Sequence, residues 1–219
     1  MKRVLKLFIT AMAAVSCTGN NPFLAEWETP YGIPDFSAVQ EKHYIPAVEA
    51  GIAQQQAEIE AIIANTEEPT FANVVEAYEK SGAILDRVTG VLFNLSETDA
   101  TPSLQAIVEE VLPQLSVHSD NIFMNPDFYK KVEVLYNDME NLGLNQEQKM
   151  VLKKLYNSFV KNGIALGEAE QARMREINLE LSSLSNTFGN NLLAENNAFA
   201  EEFGISVSEY GGAMASTED

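Results

Sequence analysis

The chain has 219 residues, 46% of them aliphatic or aromatic, and a formal charge of −18, which is enough apolar content for one sizeable core or two small ones. That charge excludes nucleic-acid binding, because a surface that repels phosphates gains nothing from counterion release. With one cysteine, an intramolecular disulfide is excluded as well.

Residues 1–16 begin with Lys2, Arg3 and Lys6, continue through an apolar run too brief to span a bilayer, and end in small residues before Cys17. This is the pattern of an export signal. Ala14-Val15-Ser16-Cys17 resembles a bacterial lipobox, whose cysteine becomes the lipidated first residue of the mature protein. Cys17 is therefore the candidate lipidation site. The expected location is the periplasm or cell envelope, with the membrane reached through a lipid anchor. The alternative is a plain secreted protein cut near the same place.

Residues 17–36 carry Gly19, Pro22, Pro30, Gly32 and Pro34 among aromatics and predict an extended, turn-rich lead-in. Trp27 and Tyr31 are expected to pack on the helices that follow.

Residues 37–200 read as helix throughout, and the fold class is all-α. Tyr44 to Ala64 places Ile45, Val48, Ile52, Ile59 and Ile62 on one face, with Gln54, Glu58 and Glu60 elsewhere. Thr70 after Pro69 predicts an N-cap for a helix whose stripe is Phe71, Val74, Val75, Tyr78, Leu85, Val88, Leu92 and Leu95. Thr101-Pro102 and Asn125-Pro126 each pair a cap with proline at the first helical position, where its missing N–H costs nothing.

Pro113 interrupts the stripe Leu104, Ile107, Val108, Val111, Leu112, Leu115 and predicts a kink or a split. Phe128, Val132, Leu135 and Met139 carry the next helix toward Gly143, and Asn145 with Gln148 forms a capping pair for the one after, which runs through Leu152, Leu155 and Phe159 toward Gly163. A last helix from about Leu166 to Leu193 repeats Met174, Ile177, Leu181, Leu184, Phe188 and Leu192 in near-heptad steps. It is read as a long bundle helix, since a coiled-coil seam needs more heptads. The tail, residues 201–219, reads as disordered.

No catalytic or metal-binding residue emerges from this pass. The histidines, His43 and His118, stand far apart, no glutamate is followed by histidine three residues on, and no Gly-x-Ser-x-Gly turn is present. Glu67 with Glu68, Glu109 with Glu110 and Glu168 with Glu170 read as solvated faces or helix-start charges. Asp86 and Arg87 are candidates for a structural ion pair. His43 is expected to brace the start of its helix, and His118 to lie on the surface.

Several ordered blocks carry a resemblance: Asn21-Pro-Phe-Leu, Trp27-Glu-Thr-Pro-Tyr-Gly-Ile-Pro-Asp-Phe, His43-Tyr-Ile-Pro-Ala-Val, Pro69-Thr-Phe-x-Asn, Glu79-Lys-Ser-Gly-x-x-Leu-x-Arg-Val, Asn125-Pro-Asp-Phe, Gly143-Leu-Asn-Gln-Glu-Gln and Leu193-Ala-Glu-Asn-Asn-Ala-Phe. Together they resemble the N-terminal helical region of the peptidyl-dipeptidase and oligopeptidase A branch of thimet-oligopeptidase-like zinc metallopeptidases. The resemblance implies one helical wall of a channel that admits short peptides. It also implies zinc in the full-length family and none held by this chain, because the His-Glu-x-x-His helix that carries that chemistry does not occur in the sequence. The expectation is an N-terminal piece, truncated before the catalytic motif and inactive alone. The alternative is a stand-alone helical envelope lipoprotein that binds peptides or a protein partner.

Overall fold

The computed structural model describes residues 21–98 and 101–204. The export signal, Cys17 and the tail after Gly204 lie outside the described residues. Among the described residues the architecture is an all-α array without strands: α1 Tyr44–Ala64, α2 Ala77–Glu79, α3 Ala83–Thr98, α4 Pro102–Phe123, α5 Pro126–Asn137, α6 Gln146–Lys161 and α7 Glu168–Phe203. A π-helical segment, Phe71–Glu76, leads directly into α2.

Local chemistry sets most of the boundaries. Thr70 Oγ1 accepts from Asn73 N at 3.1 Å while Asn73 Oδ1 accepts from Thr70 N at 2.7 Å, satisfying donors that a helix start leaves orphaned. Thr101 caps α4, Asn125 caps α5, and Asn145 with Gln148 forms a reciprocal box on α6. Helix α5 stops at Asn137, ahead of the expected stop, and turns lead on to Gly143 in the left-handed region. Helix α4 is not split at Pro113.

The long stripe Phe71–Leu95 is not one helix. It breaks at Lys80–Gly82, where Ser81 Oγ donates to the Tyr78 carbonyl at 2.7 Å and Gly82 takes φ +77°, a conformation that favours glycine. The break redirects the stripe. Val74 and Val75 join one core, while Leu85, Val88, Val91 and Leu92 join another.

Helices α1 and α4 contribute to both cores. The first gathers Phe23 from the lead-in, Tyr44 and Val48 from α1, Leu92 from α3 and Val111 from α4. The second gathers Ile59 and Ile62 from the far end of α1, Ile122 from the far end of α4, Phe128 and Val132 from α5, and Leu152 and Phe159 from α6. Phe159 meets Phe128 and Phe123 edge-on, at ring centroid distances of 5.3 and 5.4 Å, the arrangement aromatic quadrupoles prefer. Each fully buried Phe or Leu contributes about 1.5–3 kcal/mol relative to exposure.

Helices α1 and α3 cross in direct backbone contact. A Cβ built on Gly51 would stand 2.8 Å from Leu85 N and 2.9 Å from Leu85 Cα, so only glycine permits this approach. The lead-in is clamped to the crossing by Arg87, whose Nη1 donates to the Phe23 and Ala25 carbonyls at 2.8 and 2.7 Å and whose guanidinium lies 5.4 Å from the centre of the Trp27 ring. Trp27 thus packs against the first core as expected. Tyr31 does not: it is fully exposed, with φ +64°. The turn around Pro30–Gly32 points it away from every helix.

Candidate functional site

Between the two cores runs a polar layer. His118 Nε2 donates to Gln55 Oε1 at 2.8 Å, Gln55 Nε2 donates to Ser81 Oγ at 3.3 Å, and Ser81 passes the chain on to the Tyr78 carbonyl. Beside it, Glu58 Oε2 accepts from Gly82 N at 2.8 Å and Glu58 Oε1 accepts from Gln54 Nε2 at 2.9 Å. The layer ties α1, the helix break and α4 together where apolar contacts give out. Gln54 Oε1 is buried there without a hydrogen-bond partner.

Helix α7 lies along α4 with its polar side inward. Asn178 Nδ2 donates to the buried Asp120 at 2.7 Å, Arg175 Nη1 donates to Asn121 Oδ1 at 3.1 Å, and Gln171 Nε2 donates to the Gly163 and Ile164 carbonyls. Burial raises the Asp120 carboxyl above the usual range, and the Asn178 hydrogen bond and Arg175 charge work against that rise. All these anchors sit in the first third of α7. Further along, the expected buried stripe is exposed: Leu181, Leu184 and Phe188 face outward, Phe188 at 70%, and Leu192, half exposed, stands at the rim of a groove. The helix also continues past Leu193, to Phe203.

Where α7 runs beyond its anchors, a groove of about 510 Å³ opens between it and α3 and α4. Phe93, Val108, Leu112 and Leu193 supply apolar surface, Glu97 contributes a carboxylate, and Ser182, Asn186, Asn190 and Gln105 supply neutral polar groups. Gly189 also lines it. The sequence reading did not bring these residues together as a site, naming Val108 and Leu112 only within the α4 stripe. The available signal was a small polar residue at every fourth position, Asn178, Ser182, Asn186 and Asn190, in phase with one helical face.

Other residues singled out from sequence are placed as follows. His43 braces its helix: its Nδ1 accepts from Gln40 N at 3.0 Å and its carbonyl accepts from Asn21 Nδ2 at 2.8 Å. His118 is not on the surface but 6% exposed. It continues the buried phase Val108, Val111, Leu115 of α4, and burial lowers its pKa. Asp86 and Arg87 form no ion pair with each other, since neighbouring helical residues point in different directions. Arg87 is occupied by backbone carbonyls, and burial raises the Asp86 carboxyl. Glu67, Glu68, Glu109 and Glu110 are exposed, and Glu170 accepts from Gly167 N at the start of α7.

The donor set does not fit zinc. Both histidine rings are committed to structural hydrogen bonds in different parts of the fold, and among the described residues no three His, Cys, Asp or Glu side chains gather as ligands.

Sequence comparison sets this all-α array beside the dipeptidyl carboxypeptidases and oligopeptidases A: the chain matches part of a thimet-oligopeptidase-like protein. It is 34% identical over 179 residues to the dipeptidyl carboxypeptidase of Escherichia coli, which covers 82% of this chain and 26% of that protein. Oligopeptidase A of the same organism is 28% identical over 173 residues, 79% of this chain and 25% of that protein. A probable cytosolic oligopeptidase A of Arabidopsis thaliana is 26% identical over 182 residues, 83% of this chain and 25% of that protein. The chain thus spans about a quarter of the length of these relatives. No family model matches it.

Proposed function

We propose that this chain is the N-terminal helical part of a zinc-dependent peptidyl-dipeptidase, an enzyme that releases dipeptides from the C-termini of short peptides. In this reading α1–α7 form part of one wall of the substrate channel. Zinc and the general base come from outside this sequence, and the 219-residue chain hydrolyses nothing by itself. The observation that carries the reading is the 34% identity across four fifths of the chain to a protein named for dipeptidyl carboxypeptidase activity. The outward stripe on α7 supports it, because an apolar face of that length on a lone domain is a surface built to be covered.

The test is direct. Purified chain is incubated with a short peptide, with and without a chelator, and products are read by mass spectrometry. No dipeptide is expected in either arm. Dipeptide release that disappears on chelation would refute the proposal.

The sequence Ala14-Val15-Ser16-Cys17 favours an added feature: export, and attachment to the cell envelope through a lipid on Cys17. Labelled palmitate supplied to expressing bacteria is expected to enter the protein and to be absent from Cys17→Ser. Equal labelling of both rules the anchor out.

A further inference from the structure

We infer that the groove between α7 and the α3–α4 pair binds a short stretch of extended peptide bearing an uncharged, apolar side chain. The ligand class rests on the peptidase reading; the location rests on geometry. Ser182, Asn186 and Asn190 recur at four-residue steps along the groove wall, so they rise about 6 Å apart at about 1.5 Å per residue; Ser182 Oγ already donates to the Leu179 carbonyl at 2.8 Å and offers the groove only an acceptor. Groups on one edge of an extended chain recur every second residue, about 6.6–6.8 Å apart. Over two steps the ladders stay within reach of a side-chain adjustment.

The amides of Gln105, Asn186 and Asn190 are half-buried and make no side-chain hydrogen bond within the protein among the described residues. Each offers one acceptor and two donors, and a peptide backbone presents the complement. Beside Gln105, and across the groove from the two asparagines, Phe93, Val108 and Leu112 provide an apolar floor for one side chain. Glu97 in the lining and the chain's charge of −18 disfavour an acidic side chain there.

Gly189 supplies the test. It lines the groove, and a Cβ built on it meets nothing within 4 Å, so Gly189→Leu fills the space without a backbone clash and removes a helix-weakening glycine. The full 219-residue chain is titrated into a capped, fluorescein-labelled pentapeptide of alternating alanine and leucine, read by anisotropy. Saturable binding is expected, weakened at least about tenfold by Gly189→Leu and by Asn186→Ala/Asn190→Ala together. Leu184→Ser, on the outer face of the same helix, is expected to bind as the parent does. A peptide with aspartate in place of leucine should bind more weakly.

The inference is overturned if the parent does not bind, if both groove variants bind like the parent, or if Leu184→Ser alone abolishes binding. Circular dichroism checks that each variant keeps its helix, and the double asparagine variant decides if Gly189→Leu does not fold. Mass spectrometry on the same samples separates this from the peptidase reading: chelation-sensitive cleavage sinks the claim of inertness and leaves the groove result standing.

Discussion

Helices α1 to α6 turn their apolar faces toward one or both of two cores, whereas α7 turns Asn178, Ser182 and Asn186 inward and leaves Leu181, Leu184 and Phe188 outside. Both regions repeat apolar residues at three- and four-residue steps, so the same period serves burial in one and exposure in the other. Periodicity groups residues onto a face. It does not say what that face meets.

Mutating a side chain in each region tests whether burial separates them. Phe159→Ala removes a fully buried ring that touches Phe123, Phe128 and Tyr129, and should cost about 3–5 kcal/mol, measured as a lower midpoint in urea. Gly51→Ala forces a Cβ against Leu85 backbone atoms that cannot swing aside. A loss of about 1–3 kcal/mol is expected, and an unchanged midpoint would show that α1 and α3 can part far enough to admit a methyl group.

A pH series sharpens the role of the polar layer. Burial holds the His118 pKa below the ordinary imidazole value, which is near 6.5 in an unfolded chain. Below about pH 6.5 the unfolded state therefore binds more protons, and stability should fall as pH drops until the lower, folded pKa is reached. His43, lowered first by desolvation and then by Lys42, contributes with the same sign. His118→Gln should flatten that part of the profile relative to the parent. An equal slope in both proteins would remove His118 from the account. At lower pH, Asp120 and Asp86 act in the opposite sense, because a raised carboxyl pKa lets the folded state take up its proton first.

The smallest effect is expected on α7. Phe188→Ser replaces a side chain that is 70% exposed and should alter the stability of this chain by no more than about 0.5 kcal/mol. It should also reduce association at high concentration, read by sedimentation velocity. A loss comparable to Phe159→Ala would mean that the outer face of α7 is covered within this protein.

Much of the helical framework was legible. Thr70, Thr101, Asn125 and Asn145 announce helix starts because a short polar side chain can satisfy orphaned amides within its own turn, and no distant residue is needed. The break at Gly82 was less so: Lys80-Ser81-Gly82 interrupts an otherwise good helical stripe, and the deciding partners, Gln55 and Glu58, come from α1. His118 was misjudged because its polarity outweighed its phase. The groove escaped notice because asparagine and serine on a helix ordinarily mean solvent.

By itself the sequence determined the helical class, the helix starts and the likeness to an oligopeptidase, all of which depend on residues close together along the chain or on order alone. Tertiary structure decided that one apolar stripe serves two cores, that a histidine and an aspartate are buried, and that the outward side of α7 is the greasy one. Those outcomes depend on which helix crosses which, and that is fixed by packing between residues far apart in sequence, such as Gly51 against Leu85 and Asn178 against Asp120.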